Sequence, residues 1–319
     1  MNLVSLKNRL KRTNMKRYGL PYKGSKKNKI AQKIIQNIPA STYFYDLFGG
    51  GGAITHCALL SGKFKYVHYN DLSEIVYDYV YDCIFDDMSV DKKSSWVSRD
   101  DFNRLKNDNP YIRYIWSFEN NGLDYMYGYN VEDFKRKLHN YVYYGDMELF
   151  SDDNARLSEQ DIEYAKTIQT IEKRYAYIRN KIHTNDTRCI EYERQISYDE
   201  FRNCILTERN SFFTLSNKSY DEVNIRPNND SVIYCDIPYV NTRNTQYHSS
   251  FDYKRFYDWC RTNDNSIIIS EYVMPEDFIC ISEIDKFCSV NHSDKRKMTT
   301  EKLFVHEKWK DKFSNKYLF

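Results

Sequence analysis

The sequence has no apolar run approaching the roughly 18 residues that a membrane-spanning helix needs, and its mean hydropathy is −0.76. An integral membrane protein is excluded and a soluble chain is expected. None of the eight cysteines, Cys57, Cys83, Cys189, Cys204, Cys235, Cys260, Cys280 and Cys288, forms a C-x-x-C pair, the spacing that a zinc ribbon or a dithiol redox site would show. Reduced thiols, a cytoplasmic location and no bound metal are the expectation. An excess of one charge is missing too: 47 Lys and Arg face 45 Asp and Glu, a formal net charge of +2. That balance excludes a polybasic tail protein, an acidic solvating chain and most disordered classes. Internal repeats and low-complexity linkers are absent. The 319 residues therefore make one large domain or a core with a sizeable insertion, on a prior of roughly 100–200 residues per domain.

Tyrosine is abundant. Thirty Tyr supply rings that pack and hydroxyls that hydrogen-bond, although codon bias in an AT-rich genome produces the same excess. Residues 1–17 hold Lys7, Arg9, Lys11, Arg12, Lys16 and Arg17 and no acid. A nucleic-acid contact or a solvated terminus would suit them; without an apolar stretch beside a cleavage-like site a secretory signal is not expected, and a frayed basic end is the favoured reading.

From Ser25, a candidate N-cap, Ile30, Ile34, Ile35 and Ile38 recur at helical spacing until Pro39. STYFYDLF then reads as a buried strand, GGGG as a sharp turn and AITHCALLS as a short apolar helix. FKYVHYNDL and SEIVYDYVYDCIF repeat the strand and helix, which predicts a parallel sheet with crossover helices. SFFTLSN, DSVIYC and SIIIS are further strands, DYKRFYDWCR is a helix, and FICISEI, FCSVN and EKLFVHEKW are closing, partly antiparallel strands.

Residues 86–205 differ in character. They carry 18 Lys and Arg against 23 Asp and Glu and show long helical spacings, notably over Leu157 to His183. An inserted, mainly helical subdomain is expected there, between catalytic segments 18–85 and 206–319, with 1–17 as a separate basic segment.

Three clusters carry chemistry. Asp46, Phe48, Gly50 and Gly52 lie in a glycine turn between strand and helix, where backbone N–H groups can face a ligand. A dinucleotide fingerprint fails, because its third glycine falls on Thr55 or Ile54. Asp71 ends the next strand, as a helix cap or as an acceptor for ribose hydroxyls. DIPY, Asp236 to Tyr239, ends the most apolar strand.

Together these pieces resemble the DNA adenine-N6 methyltransferases, whose motifs are an FxGxG cofactor loop and a DPPY catalytic loop. Phe48, Gly50 and Gly52 match the first. Tyr22 and Lys26 in YKGSK resemble the N-terminal cofactor motif. Asp71 matches the ribose-binding acid, SYDEV with Asp221 resembles the motif before the catalytic strand, and ISEY and TTEKLFVH resemble those after it. WSFENNGLDYMYG, from Trp116, resembles the aromatic Asn-Gly segment of the family's target-recognition region. The motif order is that of phage and bacterial enzymes that modify short palindromes.

The resemblance implies a Rossmann-like α/β methyltransferase sheet with an inserted target-recognition subdomain, and a monomer or weak homodimer. It further implies S-adenosylmethionine held by Tyr22, Lys26, Asp46, Phe48, Gly50, Gly52, Asp71, Asp221 and Asp236, and double-stranded DNA as partner. Asp236 and the carbonyl of Ile237 would accept hydrogen bonds from the N6 amine, Pro238 would fix the turn, and Tyr239 would stack on a flipped adenine. Ile237 stands where the family has its first proline, so a non-catalytic relative is the rival reading, and an RNA adenine methyltransferase shares the chemistry. Arg113, Lys135, Arg136 and Lys137 are candidate phosphate contacts.

Overall fold

The computed structural model describes residues 18–23, 27–86, 94–182, 187–207, 211–226, 230–239, 251–288 and 297–314. The basic segment 1–17, Ser25 and Lys26 lie outside the described residues. The chain divides into two compact units, one of residues 1–20, 24–84 and 200–319 and the other of residues 21–23 and 85–199.

The first unit is built on seven strands: β1 (Ser41–Asp46), β2 (Phe64–Asn70), β3 (Phe212–Ser216), β4 (Ser231–Cys235), β5 (Ser266–Glu271), β6 (Phe278–Cys288) and β7 (Lys297–His306). They form one sheet in the order β3-β2-β1-β4-β5-β7-β6. Strands β1 to β5 pair in parallel, and β7 runs antiparallel to both β5 and β6. This is a Rossmann-like methyltransferase fold. FICISEI and the first two residues of FCSVN, read from sequence as separate strands, belong to the single strand β6, which accommodates a register shift between Cys280 and Ser282; Ser289, Val290 and Asn291 lie outside the described residues.

Alternate residues of the central strands feed two cores, one on each face of the sheet. Phe44, Val232, Tyr234, Ile268, Leu303 and Val305 join Ile34, Ile35, Cys57 and Ala58 of the helices Lys27–Asn37 and Ala53–Ser61. Tyr45, Ile233, Cys235, Ile267, Ile269 and Phe304 join Phe256 and Cys260 of the helix Tyr253–Thr262. Because both faces are covered, β4 and β5 are buried along their whole lengths, which is why their sequences read as continuous apolar runs.

The second unit is mainly helical. Phe134, Leu138, Tyr141 and Val142 of the helix Glu132–Tyr144 pack with Tyr177 and Ile178 of the helix Ile171–Lys181. The periodic stretch from Leu157 is two helices, Glu159–Lys166 and Ile171–Lys181, because Thr170 caps the second by accepting from the N–H of Lys173. Among the described residues no helix is long and apolar enough to cross a membrane.

Lys63 joins two elements of the first unit. Its ammonium donates to the carbonyls of Ile35 at 2.7 Å, Gln36 at 3.2 Å and Ile38 at 2.5 Å, which capture the otherwise open C-terminus of the helix Lys27–Asn37. Lys63→Met should lower stability by about 1–3 kcal/mol, seen as a lower urea midpoint with an unchanged slope.

Candidate active site

In an open parallel sheet a ligand crevice forms outside the carboxyl ends of the strands, where the strand order reverses direction. Here the reversal lies between β1 and β4, which are neighbours, with Asp46 in register with Tyr234. The segments leaving these two strands are the glycine turn and the DIPY turn, so the fold brings together the two motifs that the sequence separates by nearly its whole middle.

Asp46 closes β1 and is 1% exposed. Its Oδ2 accepts from the backbone N–H of Thr55 at 3.1 Å and from the Thr55 hydroxyl at 2.7 Å. The side chain thus caps the helix Ala53–Ser61, whose N-cap position is Gly52, a residue without a side chain to do so. Oδ1 is buried with no hydrogen-bond partner among the described residues. Burial pushes the carboxyl pKa up to about 7; the Thr55 hydroxyl opposes the rise, and the neighbouring Asp236 and Asp71 carboxylates add to it.

The glycine turn is held from below and beside. Gly49 donates to the carbonyl of Asn70 at 2.8 Å, and the hydroxyl of Tyr69 donates to the carbonyl of Gly50 at 2.7 Å. A Cβ on Gly49 would sit 2.1 Å from the Tyr69 ring, so this glycine is required for the ring to pass beneath the turn. Asp71 accepts from Gly50 N–H at 2.8 Å and from Ser73 N–H at 2.9 Å. It therefore both holds Ser73, the residue before the helix Glu74–Phe85, and steadies the turn. Burial raises its pKa against the pull of those two backbone bonds. From the N-terminal side, Leu20 N–H donates to the carbonyl of Gly51 at 2.6 Å and Gly19 N–H to Nδ1 of buried His56 at 3.0 Å. Burial lowers the His56 pKa to about 3, so its ring is neutral and free to accept.

At the end of β4, Ile237 is 2% exposed and belongs to the same core as Phe256 and Ile269. Packing thus fixes the residue that a proline ring would otherwise stiffen. The hydroxyl of Tyr253 donates to the carbonyl of Pro238 at 2.8 Å. The Tyr239 oxygen lies 3.2 Å from Asp236 Oδ1 and 2.5 Å from Oε1 of Glu301, and its ring lies 4.8 Å from that of Tyr272.

Phe48 stacks on Tyr220 at 5.8 Å and meets Phe251 and Phe256 edge-on. Asp221 accepts from Ser219 at 2.5 Å and forms an ion pair with Arg255. Burial pushes its carboxyl up, but the Ser219 and Arg255 contacts prevail and its pKa is lowered. Tyr22 belongs to the second unit, its ring edge-on to Tyr114 at 5.2 Å. Sequence reasoning missed Tyr69, Gly19 and Glu301. A lone Gly19 in YGLPY announces no turn type, and Glu301, flanked by Thr300 and Lys302, reads as a surface acid.

In the second unit, the segment Ser117 to Tyr125 closes on itself through a bridge between those two residues. Glu119, Asn120 and Gly122 have φ of 49°, 57° and 71°, the first two strained for side-chain-bearing residues. Asn120 Nδ2 donates to the carbonyl of Tyr114 at 2.6 Å, and Gly122 N–H to the Ser117 hydroxyl at 2.9 Å. Phe118 and Leu123 stay exposed, at 54% and 41%. The candidate phosphate contacts have other partners: Lys135 is buried and donates to the carbonyl of Arg188, Arg136 pairs with Asp133 and Glu148, and Lys137 with Asp133 and Asp152. Arg113 donates at 3.3 Å to both the carbonyl of Lys106 and Oδ1 of Asn107.

Among the described residues, His139, Cys189 and Glu191 bring three potential metal-donor atoms within 4.8 Å of one another. Glu191 Oε1 accepts from the Cys189 thiol at 2.9 Å and lies at the same distance from His139 Nδ1. These are hydrogen-bond lengths, and the Lys135 ammonium lies over the ring of Tyr127, whose hydroxyl donates to the same carboxylate. The cluster is a buried polar network with a cation already beside it.

No curated protein matches the chain in a sequence search. The profile of the D12 class N6 adenine-specific DNA methyltransferases matches residues 22–263, a span that contains the glycine turn, Asp71, the DIPY turn and the whole of the intervening unit. With that match over most of its length, and with both motifs meeting at the switch point of a methyltransferase sheet, the chain belongs to the D12 class of N6 adenine-specific DNA methyltransferases.

Proposed function

We propose that the chain transfers the methyl group of S-adenosylmethionine to the N6 amine of an adenine flipped out of duplex DNA, and that residues 86–205 choose the site. The observation that carries this reading is the meeting of the glycine turn and the Asp236 to Tyr239 turn at adjacent strand ends. A cofactor fits there: the cationic donor would find the orphaned Oδ1 of buried Asp46, and Asp71, already anchoring Gly50, retains acceptor capacity for ribose hydroxyls. Lys26 is a further proposed contact on the resemblance of its motif. Phe48 offers part of an aromatic wall. Asp221, engaged by Arg255, serves by holding the segment that carries Tyr220.

Bound S-adenosylmethionine supplies an electrophilic methyl group on a sulfonium. The N6 lone pair of adenine is delocalised into the purine, and acceptors on its two hydrogens favour the geometry in which it can attack. Asp236 and the carbonyl of Ile237 are those acceptors, and Asp236 takes the proton as positive charge develops on nitrogen. Positioning and electrostatics carry the rate. Burial of Ile237 keeps its carbonyl in place, which favours activity in this DPPY variant. Pro238 sets the backbone, and Tyr239 stacks on the flipped base. A cellular location shared with DNA in a bacterium or a phage-infected host follows from this activity.

In the inserted unit, the pinned segment with exposed Phe118 and Leu123 is the proposed DNA contact, as an apolar wedge beside the duplex. Arg136 and Lys137, already held by carboxylates, contribute little.

Incubation with labelled S-adenosylmethionine and unmethylated DNA or RNA should give N6-methyladenine in DNA, a product that Asp236→Ala abolishes, since such acceptors are worth about 10²–10³ in rate. Binding of the cofactor without methylation of any nucleic acid offered would overturn the reading. Because the Asp46 pKa is raised, ionisation costs stability: between 3.8 and about 7 the folded chain keeps a proton that the unfolded chain releases, so stability falls as pH rises through that window. Asp46→Asn should raise Tm above that window by a few degrees. In the wild type, cofactor affinity measured by calorimetry should fall as pH drops below about 7, and in Asp46→Asn it should be weaker and lose that fall near 7. Phe118→Ala with Leu123→Ala should lower DNA affinity in fluorescence anisotropy without lowering Tm, whereas Arg136→Gln with Lys137→Gln should leave affinity and its salt slope unchanged.

A further inference from the structure

Glu301 lies in the middle of β7 and is 0% exposed, as is Ser270 at the end of β5. A buried carboxylate is costly unless its oxygens are hydrogen-bonded. Its Oε1 accepts from the hydroxyl of Ser270 and, at 2.5 Å, from that of Tyr239. Tyr239 also stands 3.2 Å from Asp236 Oδ1. A phenol has one hydrogen to donate, and the shorter contact claims it. The three groups thus form an ordered set: Ser270 and Tyr239 donate to Glu301, and the Tyr239 oxygen faces Asp236 without giving it a proton.

We propose that Glu301 is a positioning residue for methyl transfer, which by taking the Tyr239 hydrogen fixes the Tyr239 ring and keeps that hydrogen from Asp236. The inference rests on the reading that Asp236 to Tyr239 is the catalytic turn. Two consequences follow from the chemistry. A hydrogen bond from Tyr239 would make Asp236 a weaker acceptor for the adenine amine, so diverting it to Glu301 sustains the acceptor strength of Asp236. The Glu301 charge, close behind the phenol, also opposes a negative charge on Asp236, as a like charge does, and Asp46 at the end of β1 acts on it in the same sense. Ser270 orients Glu301 by donating to it.

The test is a double-mutant cycle on the full chain with Glu301→Gln and Tyr239→Phe, reading N6 methylation of duplex DNA at saturating cofactor. Each single change should lower kcat by about tenfold, the order of one oriented hydrogen bond to a charged group. Cofactor affinity by calorimetry should stay within twofold. The double variant should be no slower than Tyr239→Phe alone, because Glu301 acts through the hydroxyl that is already gone. Removing the Glu301 charge should also move the acid limb of the kcat–pH profile to lower pH. Additive losses with an unmoved acid limb, or an unchanged kcat in Glu301→Gln, would overturn the proposal. If Glu301→Gln fails to fold, Ser270→Ala replaces it in the same cycle: a smaller loss of kcat that disappears in the Tyr239→Phe background supports the proposal, and a loss that persists there refutes it. Retention of methylation by Asp236→Ala would instead refute the underlying assignment of the catalytic turn.

Discussion

The rim of the sheet depends on one buried carboxylate. Asp46 ends β1, supplies the helix Ala53–Ser61 with the cap that Gly52 cannot give, and so sets the direction in which the chain leaves the strand. The glycine turn is the length of chain between those two anchor points. One oxygen does this structural work and the other is left buried and orphaned, a state that raises the carboxyl pKa. A carboxylate kept in that condition lowers the stability of the empty protein and favours a cationic ligand, which is the usual compromise between stability and function.

Around this anchor the supports are redundant. Asn70 is fully buried: its amide nitrogen donates to the carbonyls of Leu47 and Lys218, and its oxygen accepts from Ser216 and from Lys218 N–H. One side chain therefore ties together the ends of β1, β2 and β3. Tyr69 and Asp71 on either side of it hold the glycine turn. Three consecutive residues leave β2 with three separate duties at one rim, which keeps the turn in shape whether or not a ligand is present.

The sheet was legible in the sequence wherever burial is two-sided. The run Val232 to Cys235 and the run Ile267 to Ile269 are apolar on both faces, and no other structure suits so short a run. The turn motifs were legible because glycine clusters and DIPY have few alternative uses. Two features escaped: β6 looked like two strands because the charged pair Asp285 and Lys286 interrupts its apolar residues, and Glu301 looked like a surface acid because its partners, Ser270 and Tyr239, are distant in sequence. Charges in the insert misled for the same reason. Lys135 sits among Arg136 and Lys137 in a basic cluster, yet it points inward and is buried.

The place of β7 bears on how the molecule is made. It follows the other six strands of the sheet in the chain, yet it lies inside the sheet, between β5 and β6. A ribosome that has delivered residues as far as β6 has produced every other strand, but β5 still presents an open edge, a hazard for association with other chains. Chains fold from the N-terminus as they emerge, at about 5–20 residues per second, so this exposure lasts only until β7 clears the exit tunnel. The same strand delivers Glu301, so a product truncated before β7 would carry the glycine turn and the Asp236 to Tyr239 turn without the carboxylate that accepts from the Tyr239 hydroxyl.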